Sequence, residues 1–186
     1  MHDTIAVAGS HRWHAASART GKNMALIPES FVVPENLELQ NFRIRKLAFR
    51  DAELDYKAVM SSVEIIRKTR GGDWPTSELT FEDDQIDLAW HQREFERRTS
   101  FAYTVMSLDE KECLGCLYLS PAGSRGDMTK DADVDVSFWV TQTAYDNGLY
   151  AVLFSTIKQW LATWPFHKIA YSNAVLPWAS SATGFR

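Results

Sequence analysis

This sequence is short of cysteine, of long apolar runs and of excess basic charge, and each shortage excludes a class of function. Two cysteines in 186 residues cannot build the disulfide framework of a small secreted scaffold. They form the string CLGC, Cys113 and Cys116, and a lone CxxC suggests redox chemistry or half a zinc site. The surrounding ECLGCLYLS reads as a strand, where residues three apart point to opposite faces. The expectation is therefore two strand thiols with no redox or metal role, as suits a reducing cytoplasm. No apolar run approaches the roughly 20 residues of a spanning helix. The first residues lack a basic segment followed by a long apolar one. A cytoplasmic protein without a membrane contact is expected. Lys and Arg number 20 against 24 Asp and Glu, a net charge of −4, which does not describe a nucleic-acid surface. There is no internal repeat, Ser-His-Asp order, metal cluster or P-loop.

What is present suits one ordinary domain, long enough to bury a core. Seven Trp and ten Phe point to aromatic-rich packing or an aromatic-lined cleft. Residues 1–23 are small and polar without a period, which predicts a disordered extension. Structure-like patterning opens at Met24, the expected natural start, so residues 24–186 are expected to form a single domain.

The string NFRIRKLAF alternates, with Phe42, Ile44 and Lys46 against Arg43, Arg45 and Leu47; this predicts a strand. Asp51 then caps a helix, DAELDYKAVMSSVEIIRK, whose inner face carries Leu54, Ala58, Val59, Val63 and Ile66. RGGDWP breaks it. Thr80 and Asp83 resemble a capping box for a second helix, FEDDQIDLAWHQREFERR. Acids fill its first turn and arginines its last, as the helix dipole favours. SFAYTVMSL and CLGCLYLSP flank DEKE and predict a hairpin. Trp74, Trp90 and His91 sit on or before the second helix, as packing residues or as an aromatic wall.

The most informative stretch is residues 132–164. Ala132, Val134, Val136, Phe138 and Val140 alternate with Asp133, Asp135, Ser137, Trp139 and Thr141, a strand pattern. Leu149, Val152, Leu153, Ile157, Trp160 and Leu161 form one helical stripe. Residues 142–148 join the two as a turn bearing Gly148. A strand feeding a helix in this way aims free N–H groups at one spot, and with the helix dipole they make an anion site. A phosphate-bearing ligand and an ordinary strand-to-helix turn both remain open on this unit alone. HKIAYSNAVLPW reads as a last strand.

That order resembles the GNAT acetyltransferase superfamily over residues 42 to about 178. The strings carrying the resemblance are FRIRKLAFRDAELDY, TVMSLDEKECLGCLYL with Gly115 in its second strand, DVSFWVTQTAYDNGLYAVLF, and the closing GFR that ends at Arg186. The resemblance implies an α+β fold: a mixed, mostly antiparallel sheet flanked by helices on both faces. It implies a strand that splays from its neighbour, so that the pantetheine of acetyl-CoA pairs with free backbone at Phe138 and Val140. In the family's turn, [RQ]-x-x-G-x-[GA], backbone amides wrap the pyrophosphate. Here Asn147, Gly148 and Leu149 take that place. Tyr145 stands at the [RQ] position and Tyr150 at the final [GA]. Both depart from the pattern, which implies weakened CoA affinity or a remodelled loop, with Tyr150 crowding the phosphate.

The resemblance further implies direct transfer of an acetyl group from acetyl-CoA to an amine acceptor, a small molecule or a peptide. A carboxylate on the splayed strand removes the amine proton, and Asp135 holds the matching position, with Asp133 on the same face. The other reading of both acids is solvated strand residues. The general acid has no counterpart in this chain. The family continues with a terminal hairpin beyond GFR, so that hairpin is expected to be missing. The strand over 167–175 would then be an open edge, inviting homodimerisation or marking a truncated form. The alternative function is a catalytically degenerate module that binds a ligand or a protein.

Overall fold

The computed structural model describes residues 25–177. The extension expected over residues 1–23 and the start at Met24 lie outside them, as does GFR. Among the described residues the chain forms one six-stranded sheet in sequence order: β1 (Asn36–Glu38), β2 (Arg43–Lys46), β3 (Phe101–Met106), β4 (Cys113–Ser120), β5 (Val134–Val140) and β6 (Ile169–Tyr171). The first five pair antiparallel, and β6 lies parallel to β5. The expected hairpin over 101–119 forms, with 132–141 pairing beside it. No described helix is long and apolar enough to cross a membrane.

Alternation in β5 places Val134, Val136, Phe138 and Val140 in one core and Trp139 in the other. The first core takes Leu153, Phe154, Ile157 and Leu161 from α5 (Leu149–Leu161). The second takes Ala58 and Val59 from α1 (Ala52–Met60), Ile66 from α2 (Val63–Arg70) and Leu88 from α3 (Phe81–Glu96). Both faces of β5 are thus covered. Gly115 sits opposite Val140, and a Cβ there would fall on the Trp139 carbonyl oxygen. Only glycine permits that approach. The Thr80 capping box forms as expected: the Asp83 N–H donates to Thr80 Oγ1 at 3.1 Å and the Thr80 N–H to the Asp83 carboxylate at 3.2 Å.

Several expectations are corrected. The first helix is two helices, because the chain breaks at Ser61–Ser62. Ser61 Oγ donates back to the Ala58 carbonyl at 3.0 Å, and Ser62 Oγ accepts the Gln142 N–H at 3.0 Å, the local competition that ends helices at serine. Asp51 precedes α1 without bonding its first amides. Its carboxylate accepts the Ala48 N–H at 3.0 Å and pairs with both terminal nitrogens of Arg45 at 2.8 Å. It therefore holds the 3-10 turn Phe49–Asp51 to β2. Residues 142–148 are no open turn: Thr141 caps a short helix, α4 (Gln142–Asp146), by accepting the Ala144 N–H at 3.2 Å. In α5, Val152 is exposed rather than on the inner stripe, and Phe154 takes the buried place. β6 is shorter than the predicted 167–175.

The two thiols do not point apart. β3 and β4 slip register between Val105↔Gly115 and Met106↔Cys113, leaving Leu114 as a bulge. The extra residue reverses the alternation, so Cys113 and Cys116 both enter the core beneath α1.

Candidate active site

Asp135 lies in the first half of β5 and is 1% exposed, which corrects the solvated reading for it. Its Oδ2 accepts from Thr129 Oγ1 at 2.8 Å and from the Arg125 N–H at 3.3 Å. Its Oδ1 is buried without a hydrogen-bond partner. Asp133 is exposed and has a different task. It accepts the His167 and Lys168 N–H groups at 2.6 and 2.8 Å, which hold its carboxyl below the usual range. Asp133 thereby sets β6 beside β5.

The two strands pair only from Val134↔Ile169 to Val136↔Tyr171. The Ser172 N–H still reaches the Val136 carbonyl at 3.0 Å, and beyond it the backbones part. At that point the Asn173 carboxamide takes over. Its Oδ1 accepts the Phe138 N–H at 3.0 Å, and its Nδ2 donates to the Phe138 carbonyl at 2.8 Å and to Tyr150 Oη at 2.7 Å. The Tyr150 hydroxyl in turn donates to the Val175 carbonyl at 2.6 Å. Phe138 was expected to offer free backbone groups, and both are held by Asn173. Val140, two residues on, directs its N–H and C=O to the same side by strand alternation.

At the other end of the splay, the Asn147 and Gly148 N–H groups are spent on the Thr143 and Tyr145 carbonyls at 3.1 and 2.9 Å. The amides of Leu149, Tyr150 and Ala151 open α5 and lack intrahelical acceptors by the geometry of a helix start. Gly148 adopts φ +80°, with open space where a Cβ would stand. Tyr150 does not crowd that space. Its ring turns inward and stacks on Phe138 with centroids 4.8 Å apart, and burial pushes its phenol up to about 12. The Tyr145 ring packs 5.5 Å from that of Tyr150.

On the helix-α2 side of Asp135 lies a cluster with no periodic signal in the sequence. The Arg70 guanidinium sits over the Tyr118 ring at 4.7 Å and the Trp74 ring at 5.2 Å. Arg125 Nη2 donates to the Arg70 carbonyl at 2.8 Å. Burial and the nearby Arg70 charge bring Arg125 down to about 10. Arg70 Nε and Arg125 Nε and Nη1 have no hydrogen-bond partner. Trp74 packs against the second core, 6.4 Å from the Trp139 ring. Trp90 stays on the surface and donates to Glu94 at 3.0 Å. A cleft of about 380 Å³ runs between the Ser61–Ser62 break and Gln142.

No protein-family model matches this chain, and no curated protein matches it in sequence. Solved structures do match. One is a ribosomal-protein-S5-alanine acetyltransferase from Vibrio fischeri, with a TM-score of 0.53 and 14% identity over 68% of this chain and 66% of that one. A second is RimL, a ribosomal L7/L12 alpha-N-protein acetyltransferase in complex with coenzyme A, at 0.53 and 12% over 71% and 68%. A third is the microcin C7 self-immunity acetyltransferase MccE with acetyl-CoA and AMP, at 0.52 and 11% over 69% and 67%. The chain thus spans about two thirds of each of them. It has a GNAT-like fold.

Proposed function

With that fold as premise, we propose that the chain is an N-acetyltransferase that moves the acetyl group of acetyl-CoA onto an amine acceptor, a small molecule or a peptide. The observation that carries this reading is Asp135: a buried carboxylate with one oxygen unpartnered, one residue before the last β5–β6 pair at Val136↔Tyr171. The amine nitrogen attacks the thioester carbonyl, the new N–C bond forms, and the C–S bond breaks with its electron pair on sulfur, so that CoA leaves as a thiolate that takes its proton from solvent. Asp135 takes the amine proton through Oδ1, while Thr129 and the Arg125 N–H hold Oδ2 and fix the carboxylate plane. A positioned base of this kind contributes about 10²–10⁴-fold.

Acetyl-CoA is the cosubstrate in this reading. The α5 amides of Leu149 to Ala151 suit a pyrophosphate, and Val140 offers backbone to pantetheine. Phe138 can join only when Asn173 releases it. Gly148 provides the left-handed turn that starts α5, and Asn147, the residue that closes α4, precedes it.

Isothermal titration of the folded chain with acetyl-CoA tests the proposal. Micromolar binding is expected. Silence from a folded chain, with no shift in melting temperature, would overturn it and leave the non-catalytic binding module.

A further inference from the structure

We propose that Asp55, Cys113 and Cys116 form a zinc site that clamps α1 to the bulged end of β4. Three side chains from two elements converge there. Cys116 Sγ lies 3.1 Å and Cys113 Sγ 3.7 Å from Asp55 Oδ1. The three potential ligand atoms all lie within 4.8 Å of one another, and among the described residues no other set of three His, Cys, Asp or Glu side chains does so. Tetrahedral zinc, with Zn–S of about 2.3 Å and Zn–O of about 2.0–2.2 Å, requires ligand-to-ligand edges of about 3.5–3.8 Å. The two sulfur-to-oxygen distances, 3.7 and 3.1 Å, lie within about half an ångström of such edges, and the sulfurs are no more than 4.8 Å apart.

The bulge at Leu114 is what brings the thiols together. Without it, Cys113 and Cys116 would face opposite sides of the sheet. Both are free and buried, and Asp55 is 2% exposed. Two sulfurs with a carboxylate select a thiophilic cation of zinc type over magnesium or calcium. Asp55 supplies one oxygen, and the fourth tetrahedral position falls to a water molecule. Thr104 Oγ1 stands 3.6 Å from Cys113 Sγ and donates to it once it is a thiolate, the supporting bond expected around a metal ligand. The two thiols give up their protons to solvent as the metal binds. The site is separate from Asp135 and does not depend on the proposed acetyl transfer.

The probe is zinc alone. The full chain is reduced, incubated with zinc chloride and desalted, and its metal is counted by mass spectrometry. About one zinc per chain is expected, and cobalt in its place should give a thiolate-to-metal charge-transfer band. Thr104→Val, which keeps shape and removes the hydroxyl, should weaken zinc about tenfold. A Cys113→Ser/Cys116→Ser double variant should lose the metal. Zinc should also slow modification of the two thiols in the parent chain, a readout that survives if the double variant fails to fold. Retention below about a tenth of an equivalent by the folded, reduced parent would overturn the proposal, leaving S–H to carboxylate hydrogen bonds alone. Equal retention by a folded double variant, or thiol reactivity indifferent to zinc, would overturn it as well.

Discussion

The side-chain amide of Asn173 bonds both backbone groups of Phe138, accepting from the N–H at 3.0 Å and donating to the C=O at 2.8 Å. It substitutes for a strand residue at the place where β5 and β6 separate. Asn173→Ala leaves those two groups and the Tyr150 hydroxyl short of a partner in a buried setting. A loss of about 1–3 kcal/mol is expected. For a chain of this size each kcal/mol moves the melting temperature by about 2–4 °C, so calorimetry should read a clear drop. An unchanged melting temperature would mean water replaces the amide without loss.

Asp135→Asn keeps the shape and the bond from Thr129 but removes the proton acceptor. Acetyl-transfer turnover should fall by about 10²–10⁴-fold with acetyl-CoA affinity nearly retained. A change below about threefold would assign Asp135 to holding the 121–129 loop rather than to chemistry.

Gly148→Val tests the start of α5. The space around the missing Cβ is open, so the penalty comes from φ +80°, about 1–2 kcal/mol for an L-residue with a side chain. The variant should fold, melt lower and bind acetyl-CoA more weakly. Gly148→Asn should lose less, because asparagine tolerates the left-handed region. Equal affinity in a folded valine variant would remove this turn from the cosubstrate site.

His91 should stay protonated well above neutrality. Burial opposes its charge, but Asp87 and Glu94, each with an oxygen 3.4 Å from a ring nitrogen, outweigh it and push the ring up to about 10. Because the folded value is raised, the stability from this ion pair is complete below the unfolded value of 6.5 and is lost as pH rises through about 10. Imidazole chemical shifts followed by NMR from pH 6 to 10 should show a protonated ring at pH 8. A midpoint near 6.5 would contradict the arrangement.

Among the described residues β6 is the last strand of the sheet, with no strand paired on its outer side, and such edges recruit further strands. Concentration-dependent self-association is expected in light scattering. A stable monomer across the accessible concentration range would show that this three-residue strand is too short to serve as a template.

What the sequence determined by itself was local. Period-two alternation over residues 134–140, the 3.6-residue stripe of α5, the Thr80–Asp83 capping box and the 101–119 hairpin each depend on neighbours within one or two turns of chain, so their signals survive in a linear reading. Gly148 was legible as a break before a helix, although this left-handed residue separates α4 from α5 rather than a strand from a helix. Tertiary structure alone decided the rest. The slip at Leu114 arises from pairing with β3, and it moves Cys113 to the side of Cys116. The break at Ser61–Ser62 is completed by Gln142, eighty residues away. Arg125 and Asn173 reach Asp135 and Phe138 from loops without periodicity. A hydrogen bond between a loop residue, through backbone or side chain, and a strand requires only that the fold bring the two within about 3 Å. Nothing in the spacing of residues along the chain encodes that approach.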